Sequence, residues 1–130
     1  MSHQNKILIA EDDEMIRKII AEVLQDDFDI EFAENGVKAI ELAQANTPDL
    51  MLLDIMMPEK NGFEVCRELR EEKEMQKTII IMVTALSDKD SEKMGLKAGA
   101  DDFITKPFNP IELRTKVQLM FRLRDRLLSD

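Results

Sequence analysis

Five short apolar runs, each followed by a stretch of helical periodicity, constrain this chain more than any other feature. The runs are KILIA (Lys6–Ala10), DIEFA (Asp29–Ala33), LMLLD (Leu50–Asp54), TIIIMVTA (Thr78–Ala85) and DFIT (Asp102–Thr105). DIEFA alternates, but LMLLD and TIIIMVTA are continuously apolar, which suits strands buried on both faces of a parallel sheet. The alternation predicts one α/β domain over residues 1–130, a doubly wound (βα)5 parallel sheet with right-handed crossovers and helices on both faces.

The intervening stretches supply the helices. Met15, Ile16, Ile19, Ile20, Val23 and Leu24 mark one face of the first, and Val37, Ile40 and Ala43 mark the second, which ends near Pro48. Asn61 and Glu64 have capping-box spacing ahead of a third helix carrying Phe63, Cys66 and Leu69 or Arg70. The segment Ser87–Ala98 is a weak helix with a Ser87/Asp90 capping spacing and few apolar residues. Asn109, Pro110 and Glu112 start a final helix of about residues 109–128. Its rhythm, Leu113, Val117, Met120, Arg124 and Leu127, fits a docking helix, a dimer seam, a connector to a further output domain, or simply one long helix with a charged tail.

Composition narrows the function classes. A formal charge of -9 argues against a nucleic-acid surface and against an anionic membrane. The single cysteine, Cys66, excludes an intrachain disulfide framework and fits a cytoplasmic setting. No apolar run approaches the ~18 residues of a spanning helix, and the N-terminus lacks a signal peptide's hydrophobic stretch.

Asp54, at the end of the apolar LMLLD, is the most informative single residue, because a buried carboxylate without a partner is costly. In open parallel sheets, ligands bind beyond the carboxyl ends of the strands. Those ends would deliver Glu11 and Asp12 from strand one, Asp54 from strand three, Thr84 from strand four and Lys106 from strand five. Clustered carboxylates repel, by roughly 4 kcal/mol for two charges 4 Å apart at an effective dielectric of ~20. A divalent cation with hard oxygen ligands, Mg²⁺, relieves this and can hold a phosphoryl group for attack by Asp54. Lys106 can neutralise a phosphoryl oxygen and the Thr84 hydroxyl can bond another. Of the four consecutive acids from Glu11 to Glu14, the five-residue strand favours Glu11 and Asp12 as the metal pair, with Asp13 as a helix cap.

ILIAEDDE, LMLLDIMMPEKNGFE, IIIMVTA and GADDFITKPF, in this order, resemble the receiver domain of two-component response regulators, the CheY-like phosphoacceptor family. The resemblance covers essentially the whole chain and implies a flavodoxin-like sheet in the strand order 2-1-3-4-5. It implies that Asp54 accepts a phosphoryl group from the phosphohistidine of a sensor histidine kinase or phosphotransfer protein. Mg²⁺, with Mn²⁺ able to stand in, would be held by Glu11, Asp12, Asp54 and the Met56 backbone carbonyl. Thr84 and Lys106 would contact the phosphoryl group, and the Lys106–Pro107 bond would be cis. Phe103 would be the rotating aromatic switch, relaying the change to the surface of helix four, strand five and helix five. A downstream protein, an output domain or a phosphorylation-linked homodimer would read that surface.

Met56, two residues after Asp54, and Leu86, two after Thr84, are apolar and unsuited to position an attacking water, so slow autodephosphorylation is expected. His3 reads as part of a frayed terminus and Cys66 as packing. One alternative is a haloacid-dehalogenase-type phosphatase, which wants a second acid where this chain has Met56. Another is a static binding module, which expects a broken acid set, and none of the main positions is broken.

Overall fold

The computed structural model describes residues 4–85 and 89–128. Strands and helices alternate as β1 (Lys6–Ala10), α1 (Glu14–Leu24), β2 (Asp29–Ala33), α2 (Gly36–Ala45), β3 (Leu50–Asp54), α3 (Gly62–Arg70), β4 (Ile79–Thr84), α4 (Lys89–Ala98), β5 (Asp102–Thr105) and α5 (Pro110–Leu128). A single 3-10 turn, Lys73–Met75, lies between α3 and β4. The strands form one parallel sheet in the order β2-β1-β3-β4-β5, the flavodoxin-like arrangement. The order reverses between β1 and β3, so the crevice of the sheet opens above the ends of these two strands.

Successive strand residues point to opposite faces, and the core divides accordingly. Leu8, Met51, Leu53, Ile80 and Met82 pack under α2, α3 and α4 with Ala39, Val65, Cys66, Leu69 and Ala98. Ile7, Ile9, Leu50, Leu52, Ile81 and Val83 pack on the other face against Ile20 and Leu24 of α1 and Leu113, Val117 and Phe121 of α5. Burial on both faces is why β1, β3 and β4 read as unbroken apolar runs, while the edge strands β2 and β5 are partly exposed.

Side-chain caps set where the helices begin. The Asp13 carboxylate accepts from the Met15 and Ile16 N–H groups, and Asn35 accepts from Lys38 N. Asn61 and Glu64 form the full capping box of α3. Asn109 accepts from Ile111 N at 2.7 Å, with Pro110 in the first helical position. The Ser87 cap, together with Leu86 and His3, lies outside the described residues. α4 buries only Ser91, Gly95 and Ala98.

Two helices differ from their apolar patterns. In α1, Ile20 and Leu24 are buried and Ile16 and Val23 pack at the core edge, but Met15 is 71 % exposed and Ile19 also faces out. The buried face is narrower than the apolar stripe. In α5, Phe121 is a core residue outside the 4-3-4-3 series, whereas Leu127 is 83 % exposed. Arg124 turns beneath the sheet, stacking 4.9 Å from the Phe121 ring centroid and pairing with Asp49 at 3.3 Å. No described helix is long and apolar enough to cross a membrane.

Candidate functional site

The carboxyl ends of the strands bring acids and an ammonium to one place. Glu11 follows β1 directly, and its N–H donates to the Ala33 carbonyl at 3.0 Å, continuing the β1–β2 pairing. That extension buries its side chain, which is 2 % exposed. One carboxylate oxygen, Oε2, accepts from Asp13 N at 3.1 Å. Asp12 is exposed, and Asp13 turns away to cap α1. The Arg17 guanidinium donates to the Glu11 carbonyl at 2.7 Å, tying the first turns of α1 to this loop.

Asp54 ends β3 opposite Val83 of β4 and is 4 % exposed. Its Oδ1 accepts from Met56 N at 3.3 Å, and its Oδ2 accepts from Lys106 Nζ at 3.2 Å. The same ammonium donates to Glu11 Oε1 at 2.7 Å. Lys106 is placed by its own backbone, whose N–H donates to the Thr84 carbonyl at 2.7 Å, and its peptide bond to Pro107 is cis. Thr84, buried at the end of β4, lies opposite Thr105.

Burial pushes the Glu11 carboxyl up to about 7; the Lys106 ammonium and the Asp13 N–H pull it down, and the Asp54 charge adds to the rise. Burial alone would lower Lys106, but its bonds and charge contacts with Glu11 and Asp54 outweigh that and raise it. One ammonium therefore serves two buried carboxylates. Glu11, Asp12 and Asp54 each bring a ligand oxygen within 4.8 Å of the others, so the three could hold a metal ion. An all-oxygen, carboxylate-rich set suits a hard divalent cation.

Of the residues singled out in the sequence, Glu11, Asp12, Asp54 and Lys106 meet, and Thr84 borders them from the neighbouring strand end. Met56 is 63 % exposed at the rim. Phe103 lies lower on β5, opposite Met82, with its ring against Gly95 of α4 rather than among the acids. The sequence did not reveal that Arg17 holds the Glu11 carbonyl, because a lone basic residue on a helix names no partner. An apolar groove lined by Ile16, Ile19, Ala85, Pro107 and Phe108 opens beside Lys106.

Residues 7–118 match the response regulator receiver domain family. The response regulator ArlR of Staphylococcus saprophyticus is 42 % identical over 118 residues, covering 90 % of this chain and 52 % of that protein. The transcriptional regulatory protein ResD of Bacillus subtilis is 40 % identical over 122 residues, 93 % of this chain and 50 % of ResD. The chain thus spans about half the length of the curated relatives it matches. Among solved structures, the BeF3-activated DrrB receiver domain superposes with a TM-score of 0.84 at 34 % identity, covering 92 % of this chain and 99 % of that one. The chemotaxis response regulator CheY4 of Vibrio cholerae gives 0.86 at 30 % identity, covering 90 % and 98 %.

Proposed function

The chain belongs to the response regulator receiver domain family, and from that premise we propose that Asp54 is the phosphoacceptor of a Mg²⁺-dependent signalling switch. The observation that carries this is the Asp54 carboxylate itself, nearly buried, 3.2 Å from the Lys106 ammonium and grouped with Glu11 and Asp12. In the proposed transfer, an Asp54 oxygen attacks the phosphorus of a phosphohistidine on a sensor kinase or phosphotransfer protein. The phosphorus–nitrogen bond breaks, the imidazole leaves with its electron pair and takes up a proton, and an aspartyl phosphate remains. Glu11, Asp12, Asp54 and the Met56 carbonyl would hold Mg²⁺, or Mn²⁺ in its place. When bound, the ion draws charge from the phosphoryl oxygens and offsets the repulsion among the acids. Lys106 neutralises a second oxygen and Thr84 donates to a third.

The groove is apolar and is bordered by Lys106, which bonds the nucleophile, and this suits docking of the phosphodonor. Phosphorylation adds nearly two negative charges at one point. Drawing Thr84 toward them vacates space beside β5 into which Phe103 turns, so the new charge reaches the α4–β5–α5 face as a shift between two packings. A downstream protein, an output domain or a second copy would read that face, in the cytoplasm, in keeping with one unpaired cysteine. The Met56 side chain offers no polar group to position an attacking water, so the aspartyl phosphate is long-lived. The phosphatase reading lacks its second acid, because that position is Met56.

Incubation with Mg²⁺ and acetyl phosphate, followed by intact mass, tests the proposal. One phosphoryl group is expected on the wild type and none on Asp54→Ala. No gain indicates a static module, and rapid turnover of the donor indicates a phosphatase.

A further inference from the structure

The segment ENG, Glu34 to Gly36, joins β2 to α2, and its glycine faces the loop that follows the nucleophile. A Cβ built on Gly36 would lie 2.1 Å from the Lys60 carbonyl oxygen and 2.6 Å from Lys60 Cβ, far inside contact distance. The Gly36 N–H points at the Pro58 carbonyl at 3.4 Å. The β3–α3 loop is therefore seated directly on the first residue of α2.

Both sides of this contact are anchored. The start of α2 is fixed by Asn35, whose side chain accepts from Lys38 N at 2.8 Å and whose carbonyl accepts from Ala39 N at 3.0 Å. The far end of the loop is fixed by the Asn61–Glu64 capping box and by Gly62 N donating to the Ile55 carbonyl at 2.9 Å. Between them the chain makes a tight turn, with Lys60 N on the Pro58 carbonyl at 2.9 Å, Glu59 at φ 70, and the Lys60 ammonium paired with Glu68. With the Gly62 end of the loop held, a push on Lys60 is passed back through Pro58 toward Met56. That is the residue whose N–H meets Asp54 Oδ1 and whose carbonyl the proposed metal site uses.

We infer that Gly36 is a positioning residue for the phosphoacceptor site: its missing side chain seats the β3–α3 loop and so sets the Met56 peptide over Asp54. This rests on the reading of Asp54 as a metal-assisted phosphoacceptor. A signal from α2 to the metal passes through one backbone contact between residues far apart in the chain.

The test compares wild type, Gly36→Ala and Ala43→Gly, the last weakening the same helix at a buried position away from the loop. Two readouts are taken below the melting range of every variant: Mn²⁺ affinity by electron paramagnetic resonance, and the Met56 and Lys60 amide resonances of the metal-free protein. Gly36→Ala is expected to move both resonances and weaken Mn²⁺ roughly tenfold, as loss of a supporting contact around a metal site does. Ala43→Gly should lower the melting temperature and leave both readouts in place. Unshifted Met56 resonances, wild-type Mn²⁺ affinity in Gly36→Ala, or an equal loss in Ala43→Gly would overturn the inference. A wild type that binds no Mn²⁺ overturns the phosphoacceptor reading instead, and the Met56 resonance in metal-free Gly36→Ala still decides the role of Gly36. Should Gly36→Ala not fold, Lys60→Gly loosens the same contact from the loop side. It is expected to weaken Mn²⁺ a few-fold, and unchanged affinity would overturn the inference.

Discussion

At the scale of single residues, Lys106 has the most demanding position. Its ammonium lies 2.7 Å from Glu11 and 3.2 Å from Asp54, and both carboxylates are almost wholly out of water. Removing one member of such a cluster leaves the others buried without a counter-charge, which costs about 3 kcal/mol. Lys106→Met keeps most of the side-chain volume and removes the charge together with its hydrogen bonds to Glu11 and Asp54. Without divalent cation its unfolding free energy in urea should fall by that amount, and added Mg²⁺ should recover a larger share of stability than in the wild type, since the ion then meets uncompensated acids. Urea melts with and without Mg²⁺ check this; equal Mg²⁺ stabilisation in the two proteins would mean that the ammonium and the ion do not share the site. Cys66 shows the opposite character. Burial pushes its thiol up to about 11, and its Sγ donates to the Ala98 carbonyl at 3.3 Å, so it packs α3 against α4.

At the scale of elements, α4 is held unevenly. Its exit is fastened to α3 by Arg70, whose Nε donates to Gly99 O at 2.9 Å and whose Nη2 reaches Asp101 Oδ2 at 2.9 Å, an oxygen that also accepts Ile80 N. Further along the helix the notable contact is the Phe103 ring, which fits only because position 95 is glycine: a Cβ there would come within 2.5 Å of Cζ. The ring therefore acts as a wedge under the middle of α4, while the last turn is fixed independently. Phe103→Ala should leave the rate of the proposed Asp54 phosphorylation within about twofold, because the ring lies against Gly95 of α4 and Phe103 pairs with Met82, below the strand ends. It should also weaken binding of a proposed output partner. Hydrogen exchange measures the structural half of this. Amides from Glu92 to Leu96 should lose protection, whereas Asp101, whose N–H donates to the Ile80 carbonyl of β4 at 2.7 Å, should keep its own. Loss of protection at both ends alike would remove the wedge.

At the scale of the whole molecule, the sequence carried the fold and most of the site, because both depend on local pattern. The strand limits at Lys6–Ala10, Leu50–Asp54 and Asp102–Thr105 follow from where apolar runs stop, and each stop places a polar group at the rim. Contacts between distant elements left no such mark: the Arg17 grip on Glu11, the seat of Lys60 on Gly36, and the turn of Arg124 under the sheet toward Asp49. The width of α1's buried face was equally hidden, since periodicity gives a direction and neighbours decide how much of it is covered. What the assembled sheet adds is a concentration of negative charge that no single element holds, three carboxylates within 4.8 Å on a chain of net charge -9. Two effects of Mg²⁺ on stability can thus be separated. General screening acts on the whole surface and depends only on ionic strength. Site binding adds RT ln(1 + [Mg²⁺]/Kd), about 2.7 kcal/mol at a hundred times Kd, which for a domain of this length is roughly 10 °C in melting temperature. Melts in MgCl₂ and in NaCl of equal ionic strength should therefore diverge for the wild type and coincide for Asp12→Asn and Asp54→Asn. If the wild-type curves also coincide, the acids form a charged rim and not a metal site, and the phosphoryl chemistry assigned to Asp54 loses its cation.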